Sequence, residues 1–208
     1  MAAPGSQAEA ADQLVPPETV GGLMLTPAQV SEIVGSDLPA ATNSNAPFDA
    51  SSEFNRPECT GAIYPLEARM YDPSGFTAAD QTLVVPAEGT PGNHIVDMSV
   101  ALMPTAERAE QFRTDSEREW QACASQELTI TRDGIATRPA LAEVRVQGDL
   151  IIQDRTVTGD NTPPGQRCQH TLGVWSNVVA EAVVCNDTNI GDQSQRVVNA
   201  ILENAKRA

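Results

Sequence analysis

Basic residues are scarce in this sequence, with 13 lysines and arginines against 28 acidic residues and a formal net charge of −15 over 208 residues. A surface that negative repels phosphate backbones and anionic bilayers, so nucleic acid is excluded as an expected partner. Aromatic residues are scarce too, at 4%, so a core has to be built from Val, Ile, Leu, Ala and Met. No stretch approaches the roughly 18 apolar residues of a membrane helix. No signal-peptide pattern opens the chain.

The motifs of catalysis are missing as well. There is no G-x-S-x-G elbow, and GDNTPPG lacks the lysine and the following helix of a phosphate loop. No CxxC pair occurs, and His94 and His170 lie far apart, so neither zinc nor any other cofactor is expected. In NDTNIGDQ the acidic residues Asp187 and Asp192 flank Asn189, but the glycine and glutamate of a calcium loop are misplaced. The carboxylate pairs Asp115/Glu119 and Glu107/Glu110 read as solvated helix faces. The chain reads as non-enzymatic.

What is present is an ordered set of short elements. Residues 1–22 are rich in Ala, Pro and Gly without an apolar period and read as a flexible tether before a domain over 23–208. In LTPAQVSEIVG, Thr26 and Gln29 form a capping box around Pro27, Val30, Ile33 and Val34 make an apolar stripe, and Gly35 ends the helix. Residues 36–57 read as an irregular loop, CTGAIYPL as a short strand and QTLVVP as an edge strand. In HIVDMSVALMP, Val96, Met98, Val100 and Leu102 alternate and share one face. Ala109, Phe112, Ser116, Trp120 and Cys123 recur at steps of three and four, the buried stripe of a long helix. Asp133-Gly134 predicts a hairpin turn, and Gly148 marks a turn or a bulge between two strands. Over DQSQRVVNAILENAKRA, Asp192 is placed to cap an amphipathic helix with Val197, Val198, Ile201, Leu202 and Ala205 buried. These elements predict an α+β domain, a mainly antiparallel sheet with about three helices packed on one face.

The four cysteines, at 59, 123, 168 and 185, allow three pairings. The stretch CQHTLGVWSNVVAEAVVC narrows them. With Ser176-Asn177 as a two-residue turn, Trp175 faces Val178, and seven further steps bring Cys168 opposite Cys185 at a close, non-hydrogen-bonded position. A longer symmetric loop preserves that pairing. Cys59 is then left for Cys123, and two disulfides point to an oxidising, extracytoplasmic compartment.

Four stretches in order, LMLTPAQVSEIVG, ECTGAIYPLEARMYDPSGF, FRTDSEREWQAC and the cysteine hairpin, resemble the extracellular sensor domains of PknH-type mycobacterial receptor serine/threonine kinases, a domain also found in envelope lipoproteins. The resemblance spans residues 23 to 206. It implies an α/β domain with the same two disulfides and a cleft beside the sheet that receives an unknown small molecule or lipid, with no catalysis of its own. It also implies a natural protein tethered to the membrane in the cell envelope, and a monomer is expected. Asn177 and Glu181 fall on polar positions of the family hairpin, Glu181 where an Asp is usual, and ATRPALAEV lacks an expected aromatic. Tyr64, Trp175, Asn177 and Glu181 are the candidate ligand-binding residues. Tyr64 and Trp175 serve equally well as core packing. The competing reading is an envelope protein–protein interaction module without a small-molecule ligand, and a third is a hydrolase with a perturbed carboxylate or histidine.

Overall fold

The computed structural model describes residues 13–88 and 94–208 and builds them around one antiparallel sheet. The strands are β1 (Ala40–Ser44), β2 (Ala78–Val85), β3 (Ile95–Leu102), β4 (Ile130–Arg132), β5 (Ile135–Leu141), β6 (Arg145–Gln147), β7 (Leu150–Gly159), β8 (Arg167–Trp175) and β9 (Val178–Asn186). Their order is β1-β2-β3-β9-β8-β7-β5-β4, with β6 beside β7. The helices are α1 (Val20–Leu23), α2 (Pro27–Val34), α3 (Ala68–Tyr71), α4 (Ala106–Cys123) and α5 (Gln193–Ala205).

Centred in the sheet, β8 and β9 pair in the register expected of the cysteine hairpin, with Trp175 opposite Val178 and Cys168 opposite Cys185. Both disulfides form as expected, Cys168–Cys185 with Cα atoms 4.0 Å apart and Cys59–Cys123 with Cα atoms 5.6 Å apart. Alternation along the strands then makes two cores. Val96, Met98, Val100 and Leu102 of β3 join Val178, Ala180, Ala182 and Val184 of β9 on one face, against the apolar side of α5 and Val30 and Val34 of α2. On the other face Ala101, Ile151, Leu172 and Val179 pack against Ala109, Phe112, Trp120 and Cys123 of α4. Helices therefore cover both faces, not one, because the central strands are buried on both sides.

Other sequence expectations are corrected. CTGAIYPL is not a strand: Pro57–Ala62 is a 3₁₀ helix, drawn onto α4 by the Cys59–Cys123 bridge. The loop expected over 36–57 contains the edge strand β1, so β2 is internal. Asp192 precedes α5 without a side-chain cap bond. The start of α5 is held instead through Gln193, which bonds His94 at 2.9 Å and the Val34 carbonyl at 3.0 Å. Residues 1–12 of the expected tether lie outside the described residues; over 13–22 most side chains are exposed, but Val20 packs against the first core. Val15 is buried, its N–H donates to Asn177 Oδ1 at 2.8 Å, and Asn177 Nδ2 donates to the carbonyls of Val15 and Met103, both at 3.1 Å.

Candidate ligand cavity

Helix α4 and the Pro57–Ala62 segment cover the half of the second face nearer the β8–β9 turn, over Leu172 and Val179. Period-two alternation sends Ile95 and Asp97 of β3, Val183 and Cys185 of β9, Cys168 of β8, and Arg155 and Val157 of β7 to the other half. There the sheet floors a cavity of about 600 Å³. Its walls include Phe48, Tyr64, Pro65, Ile130, Arg132 and Pro139. Much of the floor is apolar: Val183 and both cysteines of the hairpin bridge are buried there, with Ile95 and Val157 packed against them.

Tyr64 is held edge-on by Phe48 and Phe54, with ring centroids 5.4 and 5.9 Å away. The Arg132 guanidinium lies 5.9 Å from the Tyr64 ring centre and pairs with Glu53 at 2.8 Å. Gln81 donates to Asp97 Oδ1 at 2.9 Å. Burial pushes the Asp97 carboxyl up to about 7, with Gln81 and Arg155 opposing and Glu181 reinforcing the shift. Arg155 is buried on the same floor, and its only described hydrogen bond reaches the Ala62 carbonyl at 3.5 Å. Burial lowers its pKa to about 10, so the guanidinium stays charged at neutral pH.

Under α4 the same sheet face carries a closed polar network instead. Tyr71 donates to Glu181 Oε1, His170 Nε2 meets Glu181 Oε2 at 2.9 Å, and His170 Nδ1 meets the Ala62 carbonyl at 3.3 Å. Trp120 stacks on His170 at 4.1 Å. All of these side chains are buried, so this arrangement of Tyr, Glu and His is a satisfied core network with no route for substrate. Glu119, read from the sequence as solvated, is half-buried, and burial first, then Glu67, pushes its carboxyl up to about 7.

The four residues singled out from the sequence do not converge. Tyr64 lines the cavity. Glu181 lies in the closed network, Trp175 packs against the first core, and Asn177 clamps Val15 at the hairpin turn. Sequence reasoning missed Asp97, Gln81 and Arg155. The signal for Arg155 was there in IIQDRTV, where alternation puts Ile151, Gln153, Arg155 and Val157 on one face.

A second hollow of about 430 Å³ includes Arg145, Asp154, Arg167 and Ile190. Arg145 is paired with Asp154 there and Arg167 is exposed, while the buried Arg155 lies between this hollow and the larger cavity and lines both. No group of three His, Cys, Asp or Glu suited to a metal occurs among the described residues.

Comparison with known proteins agrees with this architecture. The sequence pattern of the PknH-like extracellular domain matches residues 15–204. The chain is 26% identical over 196 residues to the serine/threonine-protein kinase PknH of Mycobacterium bovis, covering 94% of this chain and 32% of the kinase. It matches PknH of Mycobacterium tuberculosis with the same identity, covering 30% of that protein. It thus spans about a third of the length of these relatives. The crystal structure of the extracellular domain of PknH from Mycobacterium tuberculosis superposes with a TM-score of 0.83 at 24% identity, covering 95% of this chain and all of that one.

Proposed function

Since the chain belongs to the family of PknH-like extracellular domains, we propose that it is the sensor module of an envelope protein and binds a small molecule or lipid in the cavity beside α4. The domain is extracytoplasmic and non-enzymatic, and its disulfides suit an oxidising compartment. One observation carries the ligand reading. Part of a sheet face is left open and hollow, mostly apolar, with about 600 Å³ lined by side chains of eight strands and the loops beside them. That volume falls within the roughly 300–1,000 Å³ typical of small-molecule sites. The natural protein is read as membrane-tethered, and the domain as a monomer that reports occupancy of the cavity.

Native mass spectrometry of the domain isolated from its own envelope, then repeated after denaturation, tests this. The expected result is a bound species lost on denaturation, leaving a chain four hydrogens lighter than its reduced form. A bare chain in both spectra, with an envelope protein recovered alongside it, would replace the ligand reading by a protein–protein interaction module.

A further inference from the structure

Arg155 is the only buried arginine or lysine among the described residues. A guanidinium has five N–H donors and no acceptor, and holding one out of water costs several kcal/mol unless it is paired. Six arginines elsewhere show what pairing looks like in this protein: Arg56, Arg113, Arg118, Arg132 and Arg145 all meet carboxylates, and Arg207 meets Asn204. Arg155 has no such partner. It makes no ion pair among the described residues and its one hydrogen bond, to a carbonyl, is long. The side chain lines the cavity, beside Val157, Val183 and the Cys168–Cys185 bridge, and also borders the smaller hollow by Arg145 and Arg167.

From this we infer that the cavity takes an amphiphile with an acidic head, its carboxylate or phosphate held by the Arg155 guanidinium and its apolar body lying on the Cys168–Cys185 floor. The inference rests on the cavity being a ligand site and names the class of ligand. Planar guanidinium donors fit a carboxylate or phosphate with two parallel hydrogen bonds, and the apolar floor leaves no room for a fully solvated ion. The overall charge of −15 repels anions from the surface at large, which favours a site where a buried cation has no ion pair. Asp97 shares the floor, and with its carboxyl pushed up to about 7 it is protonated in about half the molecules at neutral pH. It therefore cancels Arg155 only in part.

The test is isothermal titration calorimetry on the delipidated domain at submicellar concentrations. The probes are decanoate and decyl phosphate, decanol as the neutral chain, and acetate and inorganic phosphate as bare heads. Decanoate and decyl phosphate should bind at least about tenfold more tightly than decanol, the effect of one charge-assisted pair. The bare heads should bind far more weakly than either. Arg155→Met should bring the acidic probes down to decanol's affinity while raising the melting temperature, because an unpaired buried charge is removed. A purely structural arginine would lower the melting temperature instead. Leu83→Glu, an exposed change at the cavity wall, should weaken decanoate more than decanol and keeps the test open should the Arg155 variant misfold. Equal binding of decanol and decanoate, or indifference of decanoate to both variants, overturns the acidic head and leaves the ligand cavity standing. Bare phosphate or acetate binding as tightly as the chained probes overturns the amphiphile. If none of the chained probes binds, the cavity reading falls with it.

Discussion

Asp97 is the residue where the open half of the sheet meets its electrostatics. It is approached by Gln81 of β2, Arg155 of β7 and Glu181 of β9, and its charge is felt by Tyr64. Its folded pKa of about 7 exceeds the roughly 3.9 of an unfolded aspartate. Between those two values the folded chain holds the proton more tightly, so the contribution of Asp97 to stability is full below about pH 4 and lost as pH rises through 7. Asp97→Asn removes that dependence and keeps an acceptor for Gln81. Its advantage in urea midpoint over the parent should be absent near pH 4 and grow through the window to pH 8. A difference that stays constant with pH would show that Asp97 ionises normally in the folded chain.

Among the elements, α4 and the β8–β9 hairpin were the most legible in the sequence, for the same physical reason. Each carries a periodic pattern long enough to fix a face: Ala109, Phe112, Ser116, Trp120 and Cys123 at helical steps, all buried, and a hairpin whose cysteines count out to the observed register. Legibility fails where the deciding contact is distant. CTGAIYPL is an apolar run that looks like a strand, yet the bridge from Cys59 to the end of α4 winds it into a 3₁₀ helix. ATNS in β1 is exposed edge strand and has no apolar face to announce it. The site was less legible still. Tyr64 could be guessed from its type, whereas Arg155 acquires its meaning only from the fold, which buries it near Asp97 without an ion pair among the described residues. The two bridges close loops of very different size, with sequence separations of 64 and 17, and loop entropy assigns them about 4 and about 3 kcal/mol. Replacing Cys59 and Cys123 by alanine should therefore cost more in urea unfolding than replacing Cys168 and Cys185. The reverse order would mean that the hairpin bridge acts through the folded floor rather than the unfolded chain.

For the molecule as a whole, a sheet with cores on both faces should be stiffest where the two cores overlap. Both are built on β3, β9 and β8, whose residues Val96–Leu102 and Val178–Val184 are buried throughout except Asp97. Their amides should be the last to exchange in hydrogen–deuterium experiments, close to the global unfolding limit, with β1 and β4 at the sheet edges the first. Fast exchange in β9 would indicate that the open half of the face loosens the centre.

That stiffness gives the clamp on Val15 a mechanical meaning. Asn177 and Ser176, at the tip of the central hairpin, grip the backbone at Val15 and Gln13, and Cys168 and Cys185 form the cavity floor at the hairpin's opposite end. Seven residues of strand separate the two, about 23 Å at roughly 3.3 Å per residue. The place where the chain joins the fold and the place where the cavity lies are thus the two ends of a single stave. A tilt imposed at one end reaches the other lengthwise, through paired backbone rather than through a loop.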